Sequence, residues 1–145
     1  MTAACDLCKL LAAPPEGVVI WSDERLSVVA VDDAEYPGFT RVVWNAHVKE
    51  MTDLDAADRH RVMDVVFAVE AAQRAVMAPE KINLASFGNM TPHVHWHVIP
   101  RYLDDAHFPN SSFATAVRSG APEALAARRA LVPALHAAIV ERLKA

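Results

Sequence analysis

Polar and apolar residues alternate strictly over residues 93–98, which predicts a β-strand. Because successive side chains of a strand point to opposite faces, the three histidines of this segment share one face, and Val94, Trp96 and Val98 share the other. The apolar face can enter a core, whereas three imidazoles along one face form a polar cluster that needs partners. Pro100 has no N–H to give to a ladder, so we expect the strand to end there.

Four other apolar segments, each bounded by polar or turn-forming residues, predict further strands. They span residues 18–21, 26–32, 39–44 and 81–87. Short polar connections join the first three of them, which favours an antiparallel meander. An edge strand of such a sheet must be covered by another element or by a second subunit.

A long amphipathic helix is predicted between the third and fourth strands. Its apolar residues recur at spacings of three and four over residues 54–76. Thr52 or Asp53 can cap its N-terminus, and Pro79 lies just beyond its predicted end at Met77. The apolar stripe is core material, and we expect the helix to pack on one face of the sheet.

Two shorter helical segments flank these elements. Residues 8–13 predict a short helix that stops at Pro14, and the Ala-rich residues 122–144 predict a helix that is broken or kinked at Pro133. Together the elements predict an α+β fold of one domain over residues 1–145, with about five antiparallel strands and a C-terminal helical tail.

Composition limits the classes of function. Apolar residues make up 53% of the chain, which is enough for a substantial core. The formal net charge of −4 and the pI near 5.9 argue against a general binder of nucleic acid or membrane surfaces, which would carry a basic stripe. No run of about 18 apolar residues and no basic segment followed by a long apolar one is visible, so a cytoplasmic protein is expected.

Three interpretations of the histidine face compete. A nucleophilic histidine can be supported by two others, histidines two residues apart can share a metal ion, or all three can simply form hydrogen bonds in a groove. Strict alternation with bulky apolar residues makes the third interpretation the weakest. The spacing alone does not choose between catalysis and metal binding.

The order of residues around the triad also carries a family resemblance. Residues 93–99 read His-Val-His-Trp-His-Val-Ile, which resembles the signature of the histidine triad (HIT) superfamily, and the flanking segments 82–89 and 100–101 are similar to those of the same family. The resemblance extends from about Cys5 to about Phe108 and leaves residues 109–145 as a tail. It implies a HIT-like fold and a homodimer in which two sheets join. Members of the family are nucleotide hydrolases and transferases that act on an α-phosphate.

The resemblance implies a role for each histidine. His95, the middle one, would be the nucleophile, His97 would donate to phosphate oxygens, and His93 would brace the site from the other side. The chemistry suits these roles, because a neutral imidazole nitrogen attacks phosphorus well and leaves it again, provided that an acceptor holds the other ring nitrogen. The alternative for His95 is that it is a metal ligand.

Residues near the triad would complete a nucleotide site. Gly88, Asn89 and Thr91 offer close backbone approach and hydrogen-bond donors to a phosphate, and the same residues also suit a hairpin turn. By resemblance, Asn83 would help to place the nucleophile or the ribose–phosphate, and His97 would also contact the nucleotide.

The ribose end of the predicted site is less defined. A carboxylate is a natural acceptor for a diol, and Asp32 is the candidate, with Asp33 as the alternative and with solvated turn residues as the competing interpretation. Many family members have a histidine where Phe39 stands. Arg101 is a candidate partner for the outer phosphates of a longer substrate, or a surface residue that adds solubility.

Cys5 and Cys8 form a Cys-x-x-Cys pair near the N-terminus. Such a pair indicates half of a zinc site, a redox pair or two free thiols, and the lack of a thioredoxin-like βαβ pattern weakens the redox alternative. The resemblance supplies His47 and His93 as the other two ligands of a structural zinc. The chemistry itself requires no cofactor, and Mg²⁺ is a candidate companion of the substrate.

The functional hypothesis from sequence is a nucleotide hydrolase that attacks the α-phosphate of an adenosine-type nucleotide through a nucleotidyl-histidine intermediate. Candidate substrates are dinucleoside polyphosphates, nucleoside phosphoramidates and acyl adenylates. The alternatives are a nucleotidyl transferase or phosphorylase of the same superfamily, and a zinc-stabilised nucleotide-binding dimer with little turnover.

Overall fold

The computed structural model describes residues 4–144, in which five β-strands form one sheet. The strands are β1 Val19–Ser22, β2 Leu26–Ala30, β3 Thr40–Trp44, β4 Lys81–Ala85 and β5 His95–Arg101. Their order across the sheet is β1-β2-β3-β5-β4, and every neighbouring pair is antiparallel. The predicted α+β fold with five antiparallel strands is therefore confirmed, and β1, β2 and β3 form the expected meander.

Within the described residues, four α-helices accompany the sheet. They are α1 Asp6–Ala12, α2 Ala56–Met77, α3 Pro122–Ala130 and α4 Val132–Arg142. The predicted break in the tail is present, because Pro133 lies in the first turn of α4 and Leu131 separates the two helices. Over residues 4–144 no helix combines the length and the apolar character that crossing a membrane requires.

The long helix α2 starts later than the sequence pattern predicts. Its N-cap is Asp55, whose side chain accepts a hydrogen bond from the main-chain N–H of Asp58 at 2.8 Å. Thr52 and Asp53, the predicted caps, instead lie in a separate 3-10 turn before the helix. The prediction was wrong because Thr52, Asp53 and Asp55 lie within four residues of one another, and each of these residue types can cap a helix.

One face of the sheet packs against α2 and α4. This hydrophobic core contains alternate residues of the strands together with the apolar stripe of α2: Leu26, Val28, Val42, Trp44, Val62, Val65, Val66, Val69, Val94, Val98, Leu135 and Ile139. The buried side chain of Gln73 fastens α2 to the sheet, because its amide donates to the carbonyls of Gly38 and Val98, both at 2.9 Å. The opposite face of the sheet is left free for α1 and for the polar residues of β5.

The strand β5 differs from the prediction at both ends. It begins at His95 rather than His93, because the main-chain N–H of His93 turns back to the carbonyl of Thr91 at 2.8 Å. It also continues through Pro100 to Arg101, so the expected stop at the proline was wrong. The proline is tolerated because β3 pairs with β5 only as far as Val98, and no ladder donor is needed beyond that point on that side.

Candidate active site

A cavity of about 640 Å³ opens on the sheet face opposite α2. His95 and His97 of β5 line it together with Arg41 of β3. The other lining residues come from α1, from the connection between β4 and β5, and from the tail: Asp6, Leu7, Leu10, Phe87, Gly88, Asn89, Met90, Thr91 and Phe113. The antiparallel pairing of β3 with β5 thus brings segments that are distant in sequence around two imidazoles.

The imidazole of His95 is held in one tautomer. Its Nδ1 lies 2.6 Å from the main-chain carbonyl oxygen of His93, and because a carbonyl oxygen only accepts, Nδ1 carries the proton and donates. The lone pair is consequently on Nε2. A second contact fixes the backbone, since the Ser86 hydroxyl donates to the carbonyl of His95 at 2.6 Å. His95 thus has the form of a nucleophile, with one nitrogen held and the other able to attack.

Both cavity histidines are neutral at pH 7. Burial lowers the pKa of His95, the hydrogen bond to the His93 carbonyl opposes this effect, and the nearby charge of Arg41 adds to the lowering. Burial, followed by the proximity of His95 and Arg41, lowers the pKa of His97 to about 4. A neutral imidazole offers one lone pair and one N–H. The lone pair is needed to attack a phosphate, and the N–H is needed to donate a hydrogen bond to it.

His97 lies among aromatic rings. Its ring centroid is 5.0 Å from that of His95 and 5.5 Å from that of Phe39. On the open side, Phe113 from the tail lies 5.4 Å away and Phe87 6.4 Å away, and the two phenylalanines contact each other edge to face at 5.2 Å. Phe87 and Phe113 are 60% and 57% exposed, so they form an apolar wall at the cavity mouth that a ligand can contact.

His93 supports this cavity through its backbone, and its side chain points elsewhere. Its Nε2 donates to the carbonyl of Trp44 at 2.5 Å, which leaves the lone pair on Nδ1. That Nδ1 lies 3.4 Å from the Sγ atoms of both Cys5 and Cys8. His93, which the resemblance implies would brace the site, places its carbonyl against His95 and its side chain against the two cysteines.

Four residues form a candidate metal site beside the cavity. The ligand atoms of Cys5, Cys8, His47 and His93 all lie within 4.8 Å of one another. His47 Nδ1 lies 3.4 Å from the Sγ of Cys8, and the rings of His47 and His93 are edge to face at 5.1 Å. The structure thus brings together the four ligands that the sequence proposed, with α1 supplying one cysteine and the residue before α1 the other.

The nucleotide-binding residues expected from sequence divide into two groups. Gly88, Asn89 and Thr91 line the cavity with His97. Gly88 has φ of +73°, a conformation that other residues rarely adopt, so the loop depends on this glycine. Asp32 is exposed and lies outside the lining. The alternative candidate, Asp33, accepts a hydrogen bond from the N–H of Glu35, as turn residues do.

Asn83 and Arg101 bind each other away from the cavity. The Arg101 guanidinium donates to Asn83 Oδ1 at 2.7 Å and forms an ion pair with Asp105, also at 2.7 Å. Arg101 is only 2% exposed, so neither an outer-phosphate role nor a surface role fits its position. The sequence could not reveal this, because Asp105 belongs to an irregular segment whose path no periodicity predicts.

Several lining residues were not anticipated from the sequence. Arg41 gave a signal, since it interrupts the apolar run of β3, and strand pairing places it directly opposite His97. Phe87 and Phe113 gave none, because single aromatic residues in irregular segments are common. The contributions of Leu7 and Leu10 depend on how α1 packs on the sheet, which sequence spacing does not specify.

Comparison with known proteins gives a consistent result. The family model described as HIT domain matches residues 15–104. No curated protein matches the chain significantly.

Solved structures resemble most of the chain. A histidine triad protein from Bradyrhizobium japonicum superposes with a TM-score of 0.70 and 23% identity, covering 88% of this chain and 90% of that one. A histidine triad (HIT) protein from Sinorhizobium meliloti 1021 gives 0.69 and 24%, covering 93% of each chain. A Zn-bound histidine triad family protein from Mycobacterium smegmatis gives 0.65 and 19%, covering 95% and 94%. At these identities the likeness establishes the fold.

Proposed function

The chain belongs to the HIT domain family, whose members include nucleotide hydrolases and transferases, and we propose that it hydrolyses an adenosine-type nucleotide at its α-phosphate. The observation that carries this proposal is the 2.6 Å hydrogen bond from His95 Nδ1 to the His93 carbonyl, which leaves Nε2 with the lone pair. The cavity beside His95 supports the proposal, because it holds a second neutral imidazole and a phosphate-compatible glycine loop.

The reaction has two displacement steps. In the first, His95 Nε2 forms a bond to the α-phosphorus while the bond to the leaving group breaks. The leaving group departs with the bonding electrons and takes a proton from the solvent, to which the attacking water of the second step returns one. In the second, water attacks the same phosphorus, the P–N bond breaks, and the nucleoside monophosphate leaves. The net reaction consumes one water, and His95 returns to its neutral form. His97 donates an N–H to a non-bridging oxygen, where charge develops.

The loop between β4 and β5 completes the proposed phosphate site. Gly88 allows the backbone to approach, and the side chains of Asn89 and Thr91 offer further donors at the cavity edge. Candidate leaving groups are a second nucleotide, an amine and a carboxylate. An acceptor other than water would make the same intermediate serve a transferase.

We propose that zinc binds to Cys5, Cys8, His47 and His93. Tetrahedral zinc with bonds of about 2.3 Å to sulfur and about 2.0–2.1 Å to nitrogen separates a sulfur from a nitrogen ligand by about 3.6 Å. Three such separations in this chain are 3.4 Å, which fits. The His93 Nε2–H···O contact to Trp44 supplies the outer support that metal-bound histidines commonly have. The ion would be structural, holding α1 against the start of β5.

We also propose a homodimer, as the resemblance implies. β4 is an edge strand with β5 on one side only, so its other side can pair with a second copy. Light scattering should give about twice the chain mass of 15.8 kDa.

The decisive experiment for hydrolysis replaces His95 with Asn. We expect the release of nucleoside monophosphate to fall by at least about a thousandfold, because the nucleophile is lost, while nucleotide affinity changes little. Diadenosine polyphosphate, adenosine phosphoramidate and an aminoacyl adenylate would each be tested, and a radiolabelled adenylyl group would be trapped on the wild-type chain.

His60→Asn is the matched control, since His60 is exposed on α2. Turnover that survives in the His95→Asn variant, or wild-type protein that neither turns over nor becomes labelled with any of the three substrates, would contradict the proposal. Metal analysis of the same preparations tests the zinc assignment, with about one ion per chain expected.

A further inference from the structure

Arg41 is an unusual arginine for its position. Among residues 4–144, it is the only arginine outside the exposed class whose side chain makes no hydrogen bond or ion pair. Its Nε is buried and has no partner. Asp6 lines the same cavity, but its carboxylate does not pair with Arg41 in the described part of the chain. A buried N–H without an acceptor is costly, and the rest of this half-buried side chain lines the cavity, where an acceptor on a ligand can reach it.

The position of Arg41 on its strand directs it toward the reacting groups. Arg41 and His97 are Cα partners in the antiparallel pairing of β3 with β5, so their side chains leave the same face next to each other. His97 Nδ1 is also buried and without a partner. Arg41 and His97 therefore line one cavity from adjacent strands, beside the imidazole of His95, and each has a buried nitrogen without a partner.

The aromatic neighbour of Arg41 does not satisfy it. The guanidinium carbon lies 6.0 Å from the ring centroid of Phe39, at the outer limit of a cation–π contact. A ring face accepts none of the in-plane N–H groups that a guanidinium presents as a fork. After burial, the nearby charge of Arg41 contributes to the lowered pKa values of His95 and His97.

We propose that Arg41 binds the phosphate that His95 attacks, and that it holds the non-bridging oxygens together with His97. The fork of N–H donors matches the oxygens of a phosphate, and the fixed positive charge stabilises the negative charge that develops during displacement. The inference rests on the proposed function for the identity of the phosphate, whereas the anion site itself rests on the geometry of Arg41.

The test compares the binding of AMP and of adenosine by calorimetry, which requires no turnover. Replacement of Arg41 by Met keeps an unbranched side chain and removes the charge, and AMP affinity should fall by about tenfold to a hundredfold because a charge-assisted hydrogen bond is lost. Adenosine affinity should remain within about twofold, since the nucleoside has no phosphate. Arg41→Lys should recover only part of the AMP affinity, because an ammonium cannot bind in a bidentate manner.

Arg74→Met is the matched control, because Arg74 is exposed on α2 and loses the same charge. Equal affinity of Arg41→Met and wild type for AMP would overturn the inference, as would an equal loss for AMP and adenosine. If AMP binding depends on Arg41 but no substrate is turned over, the anion site stands and the proposed hydrolysis fails. If turnover is found and AMP binding is independent of Arg41, the reverse holds.

Discussion

Arg41 and Arg101 lie on the same face of the sheet, one opposite the start of β5 and the other at its end, and their surroundings differ in one respect. The Arg101 guanidinium donates to both oxygens of Asp105, to Asn83 and to the carbonyl of Asn110, at distances between 2.7 and 3.1 Å. Arg41 has no acceptor of this kind. The acceptors of Arg101 all come from the chain itself, whereas the acceptor proposed for Arg41 comes from a ligand.

Asp105, Arg101 and the groups that are hydrogen-bonded to them form a cluster in which the chain itself supplies every partner, and it is called the closed cluster. Its carboxylate accepts from Arg101 and from the main-chain N–H groups of Tyr102, His107 and Phe108. Burial alone would raise the pKa of Asp105, but these hydrogen bonds outweigh that effect and lower it to about 2. Several main-chain N–H groups of the segment after β5 therefore bind one carboxylate, and these hydrogen bonds fix the path of this irregular segment.

The largest expected effect comes from opening the closed cluster. Asp105→Asn leaves the Arg101 cation buried without its counter-ion, and we expect the free energy of unfolding to fall by about 3–5 kcal/mol. Arg41→Met removes a cation that has no partner, so the free energy of unfolding should not fall. Urea denaturation of both variants at pH 7 measures the difference.

Asp104→Asn is the control for this comparison. Asp104 is 53% exposed and pairs with Arg128, so its loss should cost less than about 1 kcal/mol. Two outcomes would contradict the contrast between the two ends of β5. In one, Asp105→Asn lowers the free energy of unfolding no more than Asp104→Asn does. In the other, Arg41→Met lowers it more than Asp105→Asn does.

Metal removal should affect the cavity end alone. Because His93 offers Nδ1 to the cysteine cluster and its carbonyl to His95, loss of the ion should release the carbonyl that holds the nucleophile. A strong chelator should then lower kcat by about 10-fold to 100-fold, the usual cost of losing support around a metal site. Asp105→Asn should retain the metal. An unchanged kcat in metal-free protein would separate the two sites.

The sequence predicted the sheet and the placement of His95 and His97 on the same face of one strand. Both follow from the alternation with apolar residues that strand geometry produces. It did not predict that the side chain of His93 leaves this row. The departure depends on a turn closed by a hydrogen bond from the His93 N–H to Thr91, and residue types alone do not specify such a turn.

The two arginines illustrate the same limit for the site. From sequence, Arg101 was a candidate for phosphate binding and Arg41 was not considered. What separates them is the presence of a carboxylate, and for Arg101 this comes from an irregular segment that no periodicity describes. The absence of a partner for Arg41 is a property of the three-dimensional arrangement, which sequence spacing does not report.

A smaller effect concerns how stability depends on pH, which should differ between the cavity end of β5, at His97, and the closed cluster, at Asp105. Burial, His95 and Arg41 lower the pKa of His97 from 6.5 to about 4, so the unfolded chain binds a proton between these values that the folded chain does not. Folded-state stability should therefore decrease as pH falls from 6.5 to about 4. The pKa of Asp105 is lowered from 3.8 to about 2, so its contribution, present above 3.8, should be lost as pH falls to about 2.

Urea denaturation from pH 7 to pH 2 measures both ranges. His97→Gln should flatten part of the upper range and leave the lower range unchanged, and Asp105→Asn should do the opposite. His136 continues to contribute in the upper range, because burial lowers its pKa as well. The assignment is wrong if His97→Gln alters only the lower range.

The smallest expected effect concerns the point where the two ends meet. The tail residue Phe113 reaches the cavity from a segment that the closed cluster fixes on both sides, at Asn110 through Arg101 and at Arg118 through the Asp105 carbonyl.

We expect Phe113→Ala to raise KM by about twofold to tenfold for a substrate with an aromatic leaving group, because one aromatic contact is lost. It should have little effect on KM for adenosine phosphoramidate, whose leaving group is ammonia. Stability should hardly change, since Phe113 is 57% exposed. Leu103→Ala, which removes an exposed side chain outside the cavity, is the control.

Because the closed cluster positions Phe113, Asp105→Asn should produce the same selective rise in KM at a temperature where it remains folded. A rise that is equal for both substrates would mean that the tail acts on the shared phosphate and not on the leaving group.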